Sequence, residues 1–588
     1  MSFLKSFKRK ILSYYDRKNL LLVILLSAFI MFHLFLISQT FYIGGDGNIR
    51  STITGYGDIP LHLTQVTKFA FENNFNLNEP IFYGQKLDYP FIINLISGLL
   101  LRFTGLFSFS FLFPSFVFAS LNILLIFYIY NRFLKDRRLA FLSLLIFFLG
   151  SGVAGFEYLG DALRKGLNFT QFITYFIQNH LTTVVRLDAK YPMQSIDFGA
   201  PLSLVLLHQR AFFLGMTGFM LFLATLLILE KNKSKKWIYL SGISLGLLPM
   251  MHTHSFVAAV ITIFSFLFIS FIRKDFPFVK RILFTGIVGF IISLPQLLFL
   301  LQPSTYVKDS FLVFRFGWMV PPTIGSVVFP PGVLPSALSI YYLQFLWLNF
   351  GVILPLFVIS FLIILWKKEY FLKKGFLIFL SFSLASILLF LCGQLIRFQP
   401  WDFDDNKIFV YFQFFAVPVI LLLLKEIALN KKYLGLTLII LFSFFSLFSG
   451  VLDMLPRIAT PYNSLPVIFD PYARETADYI KQNISQKDLI LTGTYHRNPV
   501  DSLAGRPVIV GYPGWLWSRG INYLSRQNLL ENFYRNPSNN NPLLKEFPIK
   551  YVLLSNEDII DMGVDKNLFD NKYPVVYQNP EFTLYKIK

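Results

Sequence analysis

Residues 20–65 read LLLVILLSAFIMFHLFLISQTFYIGGDGNIRSTITGYGDIPLHLTQ and combine an unbroken apolar run with a glycine-rich acidic loop. The run over 20–42 is long enough to cross about 30 Å of hydrocarbon as a helix. A basic segment over 1–19 precedes the run, and no small-residue cleavage pattern follows it. We therefore predict a cytoplasmic basic N-terminus followed by an uncleaved first membrane span.

The composition extends this interpretation to the whole chain. Of 588 residues, 55% are hydrophobic, 15% are charged and 70 are Phe. This balance excludes a soluble enzyme, a disordered chain and a fibre. The single Cys392 excludes an intramolecular disulfide and a cysteine-based metal cluster. We predict an α-helical polytopic membrane protein of about 11 spans, over residues 20–42, 110–131, 139–155, 204–229, 237–252, 255–272, 282–301, 341–365, 375–393, 407–424 and 433–452.

The net charge of +20 lies almost wholly in short connections between these spans. Lys and Arg recur at every second turn, in the N-terminal segment and in residues 132–138, 231–236, 273–281, 367–374 and 425–432. The positive-inside rule assigns these turns to the cytoplasm, which predicts an N-terminus inside and a C-terminus outside. The charge thus indicates topology and not a nucleic-acid partner, and the longer loops share the outer face, over residues 43–90, 156–203, 302–340 and 394–406.

Two further segments complete the predicted organisation. Residues 91–107 are apolar but short, so we predict an interfacial or re-entrant helix there. After residue 452 the composition becomes that of a water-soluble domain. An amphipathic helix over 473–483 is followed by strand-like runs, over residues 488–493, 506–512, 550–556, 574–578 and 582–588. We predict a transmembrane domain over 20–452 and an extracytoplasmic α/β domain over 453–588.

The loop after the first span carries two candidate carboxylates. Asp58 and His62 are four residues apart, and Pro60 suits the first turn of a helix over 59–72, so both side chains project from one face near its start. Asp58 is then either a helix cap or a functional carboxylate, and His62 is either a surface histidine or a catalytic assistant. Asp46 in GGDGN is either a turn residue or a second candidate base.

This layout resembles the GT-C superfamily of membrane glycosyltransferases, which includes protein O-mannosyltransferases, lipid A aminoarabinose transferases and oligosaccharyltransferases. The resemblance rests on Asp46 and Asp58 directly after the first span, on the many further spans and the C-terminal α/β domain, and on the KLDYP stretch containing Lys86 and Asp88. It implies an enzyme that moves a sugar, with inversion, from a polyprenyl-phosphate-linked donor to a glycan, lipid or protein acceptor at the outer face of the cell membrane. The adjacent acidic pair of some members is absent, so the base is Asp58, the first choice, or Asp46.

Such a transfer needs a carboxylate to deprotonate the acceptor and cations to hold the phosphate, which is already a good leaving group. Arg210, with His208 beside it, lies near the outer end of a span, where a guanidinium is costly unless it is paired or faces a polar cavity. We predict phosphate binding there, with a structural ion pair as the alternative. His252 and His254 interrupt an apolar stretch at its outer turn, and they bind either a lipid phosphate or a metal, or they are polar tips of an interfacial turn.

The loop over 394–406 supplies the remaining candidates. Arg397 is a second predicted phosphate ligand, and Trp401, like Trp515 and Trp517, either stacks on a sugar ring or anchors at the membrane interface. The loop also contains three aspartates, which either bind a divalent cation or pair with neighbouring cations, namely Asp402, Asp404 and Asp405.

Two other classes of function are compatible with these residues. A transporter or flippase for a lipid-linked or anionic substrate would line a pathway with the same Arg and His side chains, but it needs charges near the midplane and at both mouths. Here the ionisable groups crowd one predicted side, which favours an enzyme. A non-catalytic envelope-polymer assembly factor is the third possibility, and in that case replacing Asp58 would leave activity intact.

Overall fold

The computed structural model describes residues 17–178, 199–300, 312–314, 317–318, 340–366 and 376–587. Most of this part is helical, because a backbone in lipid has no water to bond and must satisfy its polar groups internally. The helices up to residue 459 are α1 (Arg17–Ser38), α2 (Ile59–Phe71), α3 (Ile92–Thr104), α4 (Phe107–Leu134), α5 (Arg137–Leu149), α6 (Ala154–Arg164), α7 (Phe169–Gln178), α8 (Arg210–Leu229), α9 (Lys235–Gly246), α10 (Leu248–Met251), α11 (Thr253–Ile272), α12 (Phe276–Leu300), α13 (Ile340–Phe350), α14 (Ile353–Trp366), α15 (Phe376–Leu395), α16 (Asn406–Asn430) and α17 (Lys432–Ala459).

The helix lengths confirm a multi-pass membrane protein. Within the described residues, 8 helices are long and apolar enough to cross a membrane, or up to 10 candidate spans exist if two bent helix pairs are each counted as one. The bent pairs are α5 with α6, at 69°, and α13 with α14, at 94°. The predicted span over 237–252 is not one helix in this structure. It is divided into α9, of 12 residues, and the one-turn α10, which begins at Leu248-Pro249, because proline cannot donate the hydrogen bond that would continue α9.

Residues 92–104 form a helix of 13 residues, α3, which is too short to count as a span. It ends at Gly105, whose φ of +67° is the left-handed conformation that commonly terminates helices. The sequence prediction of a short apolar helix is therefore confirmed at this position, while its placement relative to a bilayer stays a prediction.

The C-terminal region contains a mixed four-stranded sheet. The strands of the described residues are, in chain order, β1 (Tyr42–Ile43), β2 (Ile49–Arg50), β3 (Val313–Phe314), β4 (Ile396–Arg397), β5 (Val467–Phe469), β6 (Leu489–Leu491), β7 (Ile549–Ser555), β8 (Val575–Gln578) and β9 (Phe582–Lys586). The four-stranded sheet has the order β6-β7-β9-β8, with β6 and β7 parallel and the other pairs antiparallel. The helices are α18 (Pro471–Asn483), α19 (Pro499–Ser502), α20 (Pro513–Ser518), α21 (Leu524–Arg535), α22 (Pro542–Glu546), α23 (Asn556–Met562) and α24 (Lys566–Asp570).

One strand-like run has a different partner from the one predicted. Residues 506–512 form no strand and lie outside the four-stranded sheet, against the loop between α2 and α3. The Val508 N–H donates to the Pro80 carbonyl at 2.9 Å, and the Gly511 N–H donates to the Ile81 carbonyl at 2.8 Å. An apolar run shows that a segment is buried, but it does not specify which edge it pairs with.

The loop after α1 and the C-terminal region share one hydrophobic core. β2 pairs with both β1 and β5 in an antiparallel sheet, which joins residues 49–50 to residues 467–469. Ile59 and Leu63 of α2 are fully buried in the same cluster as Ile468 and Val500. We call the end of the helical bundle that carries residues 39–91 and the C-terminal region the loop end.

Asp501 lies in this shared core and predicts a pH-dependent stability. It is 1% exposed, and burial raises its pKa to about 7 although the Ser502 hydroxyl donates to it. The folded state therefore favours the protonated acid, and this contribution is complete below pH 4 and is lost as the pH rises to 7. We expect Asp501→Asn to raise the Tm relative to wild type by more at pH 8 than at pH 4, measured by tryptophan fluorescence in detergent. A Tm difference that is equal at the two pH values would contradict a buried acid at this position.

Candidate active site

Asp58 lies at the start of α2, where a helix cap was the alternative to a functional carboxylate. Its side chain makes no capping hydrogen bond, so the interpretation of Asp58 as a cap alone is wrong. Asp58 Oδ2 instead accepts a hydrogen bond from Gln209 Nε2 at 2.7 Å, and His208 Nε2 lies 3.8 Å away. The Asp58 side chain is 32% exposed.

A second acid and a lysine face the same place from the start of α16. Lys407 Nζ lies 3.0 Å from Asp404 Oδ2, and Gln399 also donates to that carboxylate. Burial and, second, the Asp404 carboxylate together raise the pKa of Asp58 to about 7, against the opposing effects of Lys407 and the Gln209 hydrogen bond. A carboxyl that titrates near neutral pH is suited to accept a proton. We name Asp58, His208, Gln209, Asp404 and Lys407 the Asp58 cluster.

The two histidines of the HTH stretch have different surroundings. His252 caps α11, since its side chain accepts from the Ser255 N–H at 3.2 Å, and Ser255 in turn bonds the Tyr411 hydroxyl at 2.6 Å. His254 lies within electrostatic reach of Asp404 and Lys407, and among the described residues its buried Nε2 has no hydrogen-bond partner. His252 is thus occupied as a helix cap, while His254 belongs to the edge of the Asp58 cluster.

Arg210 is held inside the helical bundle by neutral groups. It is 2% exposed, and its guanidinium donates to Asn94 Oδ1 at 2.8 Å, to Ser97 Oγ at 2.7 Å and to the Phe111 carbonyl at 2.5 Å. The Phe111 ring centroid lies 3.8 Å from the guanidinium carbon. These contacts join α3, α4 and α8, so the geometry favours a positioning role for Arg210 over the predicted phosphate contact.

His62 belongs to the network around Arg210. It is 1% exposed, and its Nδ1 lies 3.1 Å from Asn94 Nδ2. Burial, with Arg210 second, holds the pKa of His62 well below the usual value. His62 also contacts the Tyr89 ring edge-on at 6.1 Å, and Tyr89 lies within electrostatic reach of Asp58. His62 therefore connects the network to the wall of the Asp58 cluster and is not a surface histidine.

Asp46 lies on the turn between β1 and β2. It accepts hydrogen bonds from the Asn48 N–H at 3.1 Å, from the Asn48 amide at 2.7 Å and from Arg50. The Asn48 hydrogen bonds lower the pKa of Asp46, and its side chain is 47% exposed. Asp46 has the contacts of a turn residue, and Asp58 remains the better candidate for the base.

The four remaining substrate-binding candidates have partners outside the Asp58 cluster. Asp88 pairs with Arg519, which also pairs with the buried Glu79 and so joins the loop to the C-terminal region. Lys86 is exposed at an isolated bridge to Asn78. Arg397 lies in β4, which pairs with β3, and the Trp401 ring contacts the Trp517 ring at 5.7 Å.

Only two of the three aspartates of the predicted metal site have side chains within the described part of the chain. The Asp402 side chain lies outside the described part of the chain, Asp404 is paired with Lys407, and Asp405 accepts from the Phe398 N–H at 3.4 Å. Among the described residues, no three His, Cys, Asp or Glu side chains come together in a group able to hold a metal ion. Asp404 pairs with Lys407, which is the alternative to metal binding that the sequence left open for it.

Three further residues near Asp58 had no role predicted from sequence. Gln209 donates to Asp58, and Tyr89 contacts the His62 ring within electrostatic reach of Asp58. The Arg457 guanidinium of α17 donates to Thr54 at 3.3 Å and lies within electrostatic reach of His208. Gln209 and Arg457 could have been noticed in the sequence, because each is a polar residue at the end of an apolar helix. Their position does not identify the distant residues that they contact.

The sequence matches no family model and no curated protein. Solved structures do match in fold. The apo oligosaccharyltransferase of Archaeoglobus fulgidus aligns with a TM-score of 0.51 at 14% identity, over 94% of this chain and 72% of that chain. The same enzyme, AglB, in complex with an inhibitory peptide and a dolichol-phosphate aligns with a TM-score of 0.50 at 11% identity, over 94% of this chain and 72% of that chain. ArnT of Cupriavidus metallidurans bound to undecaprenyl phosphate aligns with a TM-score of 0.47 at 10% identity, over 96% of this chain and 97% of that chain. The chain therefore has the fold of the oligosaccharyltransferase, one of the kinds of enzyme that its sequence layout resembles.

Proposed function

We propose that this protein is a GT-C-type membrane glycosyltransferase that moves a sugar from a polyprenyl-phosphate-linked donor to an acceptor. The observation that carries the proposal is the Asp58 carboxylate, which makes no capping hydrogen bond and lies within electrostatic reach of Lys407 at the loop end of a fold shared with an oligosaccharyltransferase. The solved oligosaccharyltransferase holds a dolichol-phosphate, and a lipid-linked phosphate is the matching donor class here.

The chemistry follows from the Asp58 cluster. Asp58 takes the proton from the acceptor hydroxyl or amine, and the acceptor atom bonds to the anomeric carbon of the sugar. The bond between that carbon and the phosphate oxygen breaks on the opposite face, so the configuration inverts and the polyprenyl phosphate leaves with the electron pair. Lys407 offsets the charge that develops on the phosphate. Asp404 is unsuited to act as the base because Lys407 and Gln399 already bind its carboxylate.

Sidedness is part of the proposal. The basic turns between spans favour a cytoplasmic N-terminus, which would place the loop end outside the cytoplasm. The lipid-linked donor then reaches the Asp58 cluster from the outer leaflet, and a glycan, lipid or protein acceptor reaches it from the aqueous side. Cysteine labelling of an engineered Ser485→Cys, in the C-terminal region, by a membrane-impermeant maleimide on intact cells tests this orientation. Labelling that requires permeabilised cells would contradict it.

The activity is tested with purified protein in proteoliposomes. Radiolabelled polyprenyl-phosphate sugars are offered with an extract of acceptors, and transferred label is counted for wild type and for the Asp58 variant described in the Discussion. Transfer that depends on Asp58 supports the proposal. Wild-type protein that transfers no sugar but moves labelled donor between leaflets would identify a flippase instead.

The pH dependence of transfer should depend on Asp404. Since Asp58 acts as a base only when ionised, activity should rise with pH through about 7. The Asp404 carboxylate raises the pKa of Asp58, so Asp404→Asn should move the half-maximal pH of kcat/KM downward, by about 0.5–1 unit. Lys407→Gln should move it upward because Lys407 lowers that pKa. Profiles between pH 5 and 9 that coincide for all three proteins would contradict Asp58 as the titrating base.

A further inference from the structure

The residue before Asp58 is held by the C-terminal region. The Gly57 carbonyl accepts two hydrogen bonds, from His496 Nε2 at 3.0 Å and from Trp515 Nε1 at 3.0 Å. Both donors lie more than 400 residues from Gly57 in sequence, on segments that follow β6. Two side-chain donors to one carbonyl fix the orientation of that peptide plane. The peptide joins Gly57 to Asp58, so the donors also fix the backbone at Asp58.

The two donors are themselves immobilised. Trp515 is 7% exposed and belongs to the core that also contains Leu61 and Ile81. The His496 ring stacks on Tyr56 at 5.2 Å with an interplanar angle of 12°, and its centroid lies 5.0 Å from that of the tilted Trp515 ring. Neither ring can turn away without breaking aromatic packing.

Hydrogen bonds, and not steric crowding at Gly57, hold the backbone that leads to Asp58. A Cβ at Gly57 would meet no atom within 4 Å, so the backbone there is not held by steric crowding. The Asp58 N–H donates to the Gly55 carbonyl at 3.2 Å, and its carboxylate accepts from Gln209. Gln209 therefore fixes the carboxylate end, and the two donors to Gly57 fix the backbone end.

We propose that His496 and Trp515 are positioning residues that direct the Asp58 carboxylate toward the acceptor by holding the Gly57 carbonyl. The inference rests on the proposed function, because it assigns these residues a part in the same transfer. It makes the C-terminal region a component of the catalytic geometry, since its removal would free the peptide that carries the base. A displacement of about 1 Å at a reacting group can reduce a rate about 100-fold.

The experiment compares variants that separate hydrogen bonding from packing. His496→Phe keeps an aromatic ring but has no donor, whereas His496→Gln loses the ring but retains an amide N–H. Trp515→Phe likewise keeps a ring without a donor. We expect His496→Phe and Trp515→Phe each to reduce kcat about 10-fold, with the KM for the donor lipid within about twofold of wild type. His496→Gln should retain more activity than His496→Phe.

Tyr512→Phe is the matched control. The Tyr512 ring contacts both His496 and Trp515, but none of the described hydrogen bonds uses its hydroxyl, so we expect wild-type kinetics. A purely structural role for His496 predicts the opposite order, with the Phe variant better than the Gln variant. That order, or Phe variants with wild-type kcat, would overturn the proposal.

A readout without activity separates this inference from the proposed function. Carbodiimide labelling of Asp58, quantified by mass spectrometry of its peptide, reports the accessibility of the carboxyl group. Labelling should rise at least about twofold in His496→Phe and return toward wild type in His496→Gln, because the freed Gly57 peptide lets Asp58 turn outward. If wild type transfers no sugar but labelling follows this order, the positioning stands and the proposed function fails. Equal labelling in all variants would refute the positioning.

Discussion

Replacing Asp58 with Asn is expected to reduce sugar transfer by about 100- to 10,000-fold, which is the range for loss of a general base. Asn preserves the size of the side chain and can still contact Gln209, which lies 2.7 Å from Asp58 Oδ2. It cannot take a proton from the acceptor. The loss should therefore appear in kcat, measured under saturating donor, while the KM for the donor lipid changes little.

Asp46→Asn provides the control for this experiment. Asp46 lies in the same loop, but its carboxylate is bonded to Asn48 and Arg50 on the hairpin turn. We expect this variant to keep at least about half of the wild-type kcat, since surface changes away from a site have small effects. A larger loss of kcat with Asp46→Asn than with Asp58→Asn would identify Asp46, and not Asp58, as the base. Undiminished transfer by Asp58→Asn would support the non-catalytic alternative.

Replacing Arg210 with Met is expected to destabilise the protein by about 3 kcal/mol or more. The change leaves Asn94 Oδ1, Ser97 Oγ and the Phe111 carbonyl without their donor, and each buried unsatisfied polar group costs about 1–3 kcal/mol. Arg210→Lys should recover only part of the stability, because an ammonium lacks the planar fork that reaches several acceptors and stacks on Phe111. Thermal unfolding of the purified proteins measures the difference.

Arg164→Gln is the matched control for Arg210. Its side chain is 71% exposed and pairs with the exposed Asp161, so its removal should change stability by about 0.5 kcal/mol or less. The predicted phosphate-binding role makes a different forecast for Arg210. An Arg210→Met protein with wild-type Tm but a strongly raised KM for the donor would restore that role and contradict the positioning role.

The membrane architecture was largely predictable because it depends on sums over many residues. A run of some 20 apolar residues identifies a span whatever their order, and the helices in the described residues follow ten of the predicted spans, two of them as bent pairs. The prediction failed at residues 237–252, where one residue, Pro249, ends the helix inside an apolar run. Mean hydropathy does not detect such a local loss of one backbone donor.

The candidate site was less predictable because it depends on pairs of distant residues. Residue type and position suggested Asp58, His208 and Asp404 separately, and the fold brings them together. The direction of Arg210 could not be inferred, since it is determined by partners 95–116 residues away. The two donors to Gly57 could likewise not be predicted, because nothing in the GYPGWLWSRG segment indicates that Trp515 bonds a glycine near the first span.

A structure of the protein with a polyprenyl-phosphate sugar bound would locate the donor relative to Asp58. We expect the phosphate within about 4 Å of Lys407 Nζ, and the anomeric carbon on the side facing Asp58 at about 3–5 Å from its carboxylate. A donor phosphate bound at the opposite end of the helical bundle, or at the loop end but out of reach of both side chains, would contradict it.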